Sequence, residues 1–181
     1  MNKIPAPIAE LIDDFTSISP NDRLQLLLEL SDELPALPSR YVERLDQLEQ
    51  VHECQSPLFL AVEVENDMVH LFFHAPLETP TTRGFASILH TGLDGQSVTD
   101  VLDMPDDTPF RFDLAEAVSP LRIHGMVVIL ARIKRQVRHK MLTHRGHGSD
   151  ASLSCAHDQF TNKQEAARNT NSSDLSSTQS C

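Results

Sequence analysis

An α+β fold, a small curved antiparallel sheet flanked by helices, follows from three features of the sequence. Helical periodicity occupies the first 48 residues, two β-type runs follow as a hairpin, and helical periodicity returns until about residue 138. Strands that sit together between blocks of helices, without strand–helix alternation, build an antiparallel sheet with helices packed against it.

Taken in order, Ile8, Leu11, Ile12 and Phe15 recur at helical spacing, so a short amphipathic helix starts near Pro7 and ends before Ser19. Ser19-Pro20-Asn21-Asp22 then supplies an N-cap hydroxyl, a proline at the first helical position and a carboxylate in the first turn. Leu24, Leu27, Leu28 and Leu34 give this second helix an apolar stripe, and Pro35 and Pro38 end it. A third short helix is expected over Arg40 to Leu48, and Glu49 to Ser56 reads as a polar loop.

The β-type runs are Leu58 to Val64 and Met68 to His74, joined by the turn Glu65-Asn66-Asp67. Pro76 to Pro80 breaks the pattern. Thr79 is placed to cap a helix with Pro80 at its first position and Phe85, Ile88 and Leu89 on its inner face, ending at Asp94-Gly95. Ser97 with Asp100 three residues on forms a capping box for a short helix through Leu102 and Asp103. Pro105 to Pro109 reads as a loop. Ser119-Pro120 repeats the cap-and-proline start, and Ile123, Met126, Val127, Leu130, Ile133 and Val137 form a long buried stripe. The basic cluster Arg132, Lys134, Arg135 and Arg138 is expected near that helix's C-terminus, where the dipole favours cations.

From His139 the composition turns to Ser, Thr, Asn, Gln and His, with too little apolar surface to offset chain entropy. The expected organisation is one domain over residues 1–138 and a disordered polar tail over 139–181.

The chain has 181 residues, 40% of them apolar, and a net charge of −11. Up to residue 131 there are 22 acidic against 7 basic side chains. That balance repels phosphates and excludes nucleic acid as a partner, leaving small molecules or a basic protein patch. No apolar stretch approaches the roughly 20 residues of a membrane helix, and the first ten residues lack a secretory apolar run. A cytoplasmic protein without membrane contact is expected.

Cys54, Cys155 and Cys181 are odd in number and far apart, which suits free thiols better than a disulfide framework. Cys54 alone falls within the expected domain. Read from its position, it is either a small buried hydrophobe, the commoner fate of a free cysteine, or a reachable thiol in a polar loop. His52 would favour its thiolate and Glu53 oppose it. His139, His144, His147, His157 and Cys155 match no closed zinc spacing, so no metal site is expected. No phosphate-cradling glycine loop is present, and nothing singles out a histidine and an amide to complete a cysteine hydrolase.

Four stretches, in order, carry a resemblance: Leu34-Pro35-Ala36-Leu37-Pro38 closing a helix; Val51-His52-Glu53-Cys54-Gln55-Ser56-Pro57-Leu58-Phe59; Glu78 to Phe85 with Arg83-Gly84; and Ser119 to Met126 with Arg122. Over residues 8–138 the chain resembles the SufE family of cysteine-desulfurase partners, as a divergent member. The resemblance implies that Cys54 accepts sulfur as a persulfide, with Gln55 and Ser56 holding the loop. It implies that Glu78 and Arg83 contact a desulfurase, and that Arg122 binds a carboxylate or steadies the cysteine loop, a structural ion pair being the alternative for Arg122.

The implied activity is that of a sulfurtransferase-like accessory protein. It would stimulate a SufS-like cysteine desulfurase, or work with another sulfurtransferase, and pass sulfur to an iron–sulfur scaffold complex downstream. The chain would need no cofactor of its own, since pyridoxal phosphate belongs to the partner. Three positions depart from the family pattern: Glu53 replaces the usual glycine, Leu58 and Phe59 stand where tryptophan is common, and Pro76 replaces one carboxylate of an acidic pair. A non-catalytic adaptor with the same fold, or a redox-sensing thiol protein, are the other readings.

Overall fold

A computed structural model of the chain describes residues 3–53 and 56–146. The elements run α1 (Ala6–Thr16), α2 (Pro20–Asp32), α3 (Ser39–Val42), β1 (Glu49–Gln50), β2 (Phe59–Glu65), β3 (Met68–His74), α4 (Pro80–Leu93), α5 (Val98–Asp103) and α6 (Pro120–Gly146), with 3-10 turns at 45–47, 108–112 and 114–116. The sheet has the order β1-β2-β3 and both pairings are antiparallel. The architecture is the α+β one that the sequence predicts.

Local chemistry explains most boundaries. Ser19 accepts from the Asp22 amide and Ser97 from the Asp100 amide at 3.1 Å, so both serines cap the helices they precede. Asn66 and Asp67 take φ of 50° and 65°, the left-handed pair that a two-residue hairpin turn requires. Thr79, by contrast, does not cap α4. Its hydroxyl donates to the Pro76 carbonyl at 2.8 Å and stiffens the proline-bracketed turn instead.

The register pairs Leu60 with Phe73, Val62 with Leu71 and Val64 with Val69, which sets these residues on one sheet face. That face meets Phe85, Ile88 and Leu89 of α4 and Ile129, Leu130 and Ile133 of α6 in the main core. On the opposite face Ala61, Phe59 and Phe72 pack with Tyr41, Leu48 and Leu37. Tyr41 donates to Glu63 at 2.7 Å, and burial, then that hydrogen bond, push its phenol up to about 12.

Helix α2 crosses α4 at Gly84, where an added Cβ would lie 2.5 Å from the Leu27 carbonyl oxygen, so only glycine permits the approach. Of the expected stripe Leu27 and Leu34 are buried, Leu28 is half-buried and Leu24 is exposed, and Arg23, Leu30 and Ser31 join the buried face of α2. Arg23 is the reason. Its guanidinium turns inward, donating to the Phe15 carbonyl at 2.8 Å and to Asp113 at 2.6 Å, and thereby ties α2 to the end of α1 and to the segment before α6.

Two further differences concern the loop and the last helix. Glu49 and Gln50, expected as loop, form the short strand β1. Helix α6 continues to Gly146, past the boundary expected at Arg138, so the basic cluster lies inside the helix rather than at its C-terminus. The dipole argument therefore does not apply to it. Residues 147–181, which include Cys155, Cys181, His147 and His157, lie outside the described residues.

Candidate functional site

The segment carrying Cys54 is anchored at a neck formed by β1 and β2. Glu49 pairs with Leu60, Gln50 with Phe59, and the Val51 amide donates to the Leu58 carbonyl at 2.8 Å. Val51 and Leu58 are buried, so both feet of the intervening segment are fixed in the core while His52, Glu53 and Pro57 are exposed. Cys54 and Gln55 themselves lie outside the described residues.

Next to this segment is a cavity of about 230 Å³. Glu53 and Ser56 line it from the loop, Glu78 to Thr82 and Phe85 from the turn into α4, and Leu121, Arg122, Gly125 and Ile129 from α6. The first turns of two helices, α4 and α6, thus contribute to one wall, and the partial positive charge of a helix N-terminus belongs to each. Arg122 supplies the guanidinium among the lining residues and donates to the Thr81 hydroxyl at 2.7 Å. An arginine carries five N–H donors in a planar fork, so one neutral hydroxyl leaves it able to receive an anion.

Of the residues predicted from the sequence, Ser56, Glu78 and Arg122 come together around this cavity. Arg83 does not line it. Its guanidinium donates to the Ser31 carbonyl at 3.1 Å and the Ala75 carbonyl at 3.0 Å, joining the end of α2 to the exit from β3 beside the Gly84 contact.

Sequence reasoning missed two groups. Leu121, which lines the cavity, is 55% exposed, and Leu77, directly before the lining residue Glu78, is 75% exposed. Leu77 lies in a turn bracketed by Pro76 and Pro80, a pattern that can hold an apolar side chain outward and was readable in the sequence. The second group is ionic. Arg132 bonds both Glu49 and Glu53, Arg135 bonds Glu49, and Gln136 donates to Glu49 at 2.9 Å while accepting from the Val62 amide at 3.0 Å.

Burial pushes the Glu49 carboxyl up, but hydrogen bonds from Arg132 and Gln136 and the charges of Arg135 and Arg132 outweigh it and hold Glu49 below the usual range. Glu53 is held low by its own backbone amide and then by Arg132. The charge expected to oppose a Cys54 thiolate is therefore already partnered. Further along α6, the buried Lys134 donates to the Met104 carbonyl and to Asp106 at 2.5 Å, which keeps its charge satisfied away from the cavity.

Among the described residues no group of three or more histidine, cysteine, aspartate or glutamate side chains is arranged to hold a metal ion. Among them, too, no helix is long and apolar enough to cross a membrane.

Comparison with known proteins is consistent across sequence and structure. An uncharacterized SufE-like protein of Mycobacterium tuberculosis, found in two strains, is 52% identical over 136 residues, covering 75% of this chain and 94% of that protein. The SufE-like protein 1, chloroplastic/mitochondrial, of Arabidopsis thaliana is 22% identical over 140 residues, covering 77% of this chain and 37% of the plant protein. The solution structure of a hypothetical protein from Thermus thermophilus matches with a TM-score of 0.69 at 36% identity, covering 77% of this chain and 99% of that one. The family model described as SufE, Fe-S metabolism associated domain, matches residues 9–137, and the chain belongs to the SufE family.

Proposed function

We propose that this protein accepts sulfur on Cys54 from the persulfide of a pyridoxal-phosphate cysteine desulfurase, stimulates that enzyme, and passes the sulfur on for iron–sulfur cluster assembly in the cytoplasm. Membership of a family associated with iron–sulfur metabolism supports a role in that metabolism or in sulfur transfer. The observation that carries the finer reading is the cavity in which Ser56, Glu78 and Arg122 meet beside the neck of the Cys54 segment.

The step is a thiol–persulfide exchange. The Cys54 thiolate attacks the terminal sulfur of the donor persulfide, a new sulfur–sulfur bond forms on Cys54, and the donor's own bond breaks with its electron pair leaving as the donor thiolate. No net oxidation occurs. The rate rests on thiolate fraction, leaving group and access. Arg122 and the two helix N-termini favour negative charge in the cavity and act against the carboxylates of Glu78 and of Glu53, the latter paired with Arg132, which suits a persulfide anion or the carboxylate of a cysteine-derived substrate. Ser56 and Thr82 offer further hydrogen bonds there, and Phe85 and Ile129 give the anion an apolar floor.

Glu78 with the exposed Leu77 and Leu121 forms the surface by which the desulfurase would dock. An apolar pair with a polar rim is the composition of a small interface centre. Arg83, which the resemblance assigns to partner contact, would act there by holding the Ala75 carbonyl and so the turn that presents Leu77 and Glu78.

The test is incubation with a cysteine desulfurase and cysteine, followed by desulfurase turnover and intact mass. A carrier gains sulfur mass that a thiol reductant removes, and it raises desulfurase turnover. Stimulation without any gain of mass would replace the carrier by an adaptor, and neither effect would remove both.

A further inference from the structure

Helix α6 reaches the segment carrying Cys54 through the side chain of Arg132, whose two terminal nitrogens go to different carboxylates: Nη1 to Glu49 and Nη2 to Glu53. The two carboxylates are not equivalent. Glu49 keeps Arg135 and Gln136 if Arg132 is removed, whereas Glu53 has no other cationic side chain bonded to it among the described residues. Glu53 is also the residue immediately before Cys54. Its side chain is 44% exposed, so water alone is sufficient solvent for it, and pairing with Arg132 is not forced by burial. What the pair does is fix where the carboxylate sits and cancel its charge.

We propose that Arg132 is a positioning residue for sulfur acceptance, acting through Glu53: it holds the residue preceding Cys54 against α6 and neutralises the carboxylate nearest the thiol in sequence. The inference rests on the sulfur-acceptor reading of Cys54. The planar guanidinium fork is what makes one side chain sufficient, since it bonds two carboxylates at once in a geometry that an ammonium group does not reproduce. The charged groups facing this point are Glu49 from β1, Arg132 and Arg135 from α6, His52 beside Glu53, and Glu78 and Arg122 across the cavity. Removing Arg132 leaves Glu53, the residue next to Cys54 in sequence, an uncompensated anion, and a negative charge close to a thiol disfavours its thiolate.

The experiment uses the full chain with Cys155→Ser and Cys181→Ser, so that Cys54 is the one remaining thiol. The rate of alkylation by iodoacetamide, a neutral probe, is measured against pH to obtain the midpoint of thiolate formation. Arg132→Gln should move the midpoint up by about half to one pH unit, slowing alkylation at neutral pH by roughly three- to tenfold. Adding Glu53→Gln should return the midpoint to near the parent value, because a neutral amide needs no counter-charge. Arg132→Lys should shift the midpoint less than Arg132→Gln, since it keeps the charge and loses the fork.

An unchanged midpoint in Arg132→Gln would overturn the proposal, and so would a double variant as shifted as the single one. Should Arg132→Gln fail to fold by circular dichroism, Glu53→Gln and Arg132→Lys carry the test. A midpoint in Glu53→Gln above the parent would then contradict the proposal, and one at or below it with Arg132→Lys slightly raised would support it. No sulfur donor enters this measurement. A parent that titrates as expected yet never loads sulfur sinks the acceptor reading alone, and a parent that loads sulfur while every midpoint is equal sinks this inference alone.

Discussion

Two arginines of α6 lie near the residues that bracket Cys54 in sequence, Arg132 bonded to Glu53 and Arg122 in the cavity lined by Glu53 and Ser56, and they are used differently. At the neck, Arg132 meets two carboxylates, with Arg135 and Gln136 completing the shell of Glu49. At the cavity, Arg122 meets one neutral hydroxyl among the described residues, that of Thr81. The neck is a closed polar network whose members satisfy one another, and such a network specifies a structure. The cavity pairs an incompletely used cation with two helix N-termini and open volume, an arrangement with room for a ligand. The difference teaches that charge near a site does not by itself mark the chemistry. What separates the two arginines is how many of their donors the described residues engage.

The sharpest way to break this comparison is at Gln136. Its side chain accepts from the Val62 amide and donates to Glu49, so Gln136→Ala leaves a partly buried backbone donor and a carboxylate each short of a partner. A loss of about 2–3 kcal/mol is expected in urea unfolding. A loss under about 0.5 kcal/mol would mean that the neck is not the fixed side.

A smaller effect, of a different kind, is expected at the cavity. Arg122→Ala should lower sulfur loading or desulfurase stimulation about tenfold, roughly 1.4 kcal/mol, while changing stability by less than about 0.5 kcal/mol, because among the described residues its one bond is to the Thr81 hydroxyl. Unfolding and single-turnover loading, measured on the same preparation, give the ranking. A larger change in stability than in loading would make Arg122 structural and erase the contrast with Arg132.

The smallest effect is a pH dependence of the neck. The Glu49 carboxyl lies below its ordinary value of 4.5 when folded. A folded-state value that is depressed contributes stability above the unfolded value and loses it as pH falls through the folded one. The contribution should therefore be complete above about pH 5 and fade on acidification below it. Glu49→Gln should unfold with a shallower acid dependence in that window than the parent, by well under one proton. Identical slopes would show that the ion network is not coupled to folding.

Much of the frame was legible in the sequence because it rests on local chemistry. Ser19-Pro20 and Ser97 with Asp100 announce helix starts that their own amides complete, and Asn66-Asp67 announces a turn that few other pairs adopt cheaply. β1 was not legible, since two residues carry no period and Glu49-Gln50 is as polar as any loop; only its pairing with Leu60 and Phe59 makes it a strand. The inner face of α2 was legible only in part, at Leu27 and Leu34 but not at Leu24, for a related reason. Leucine spacing alone could not show that Arg23 turns inward to the Phe15 carbonyl and Asp113, and Asp113 is 90 residues distant.

The site divides the same way. Ser56, Glu78 and Arg122 were found through family motifs and meet at one cavity. The Glu53–Arg132 pair spans 79 residues of sequence, so reading Glu53 alone gave an opposing charge where the fold provides a neutralised one. The exposure of Leu77 was readable from its proline-bracketed turn, whereas that of Leu121, beside a helix start, needed the packing of α6 to be known.

The central claim, that sulfur is carried on Cys54, is tested most directly by locating it. In the Cys155→Ser, Cys181→Ser protein, loading by a cysteine desulfurase and cysteine, alkylation and proteolysis should place the added sulfur in the peptide containing Cys54. The further change Cys54→Ser should abolish the gain while leaving the unfolding transition in place, because a serine in a polar segment needs no repacking. A double-serine protein that activates the desulfurase but never gains sulfur, or a Cys54→Ser protein that still gains it, would contradict the account.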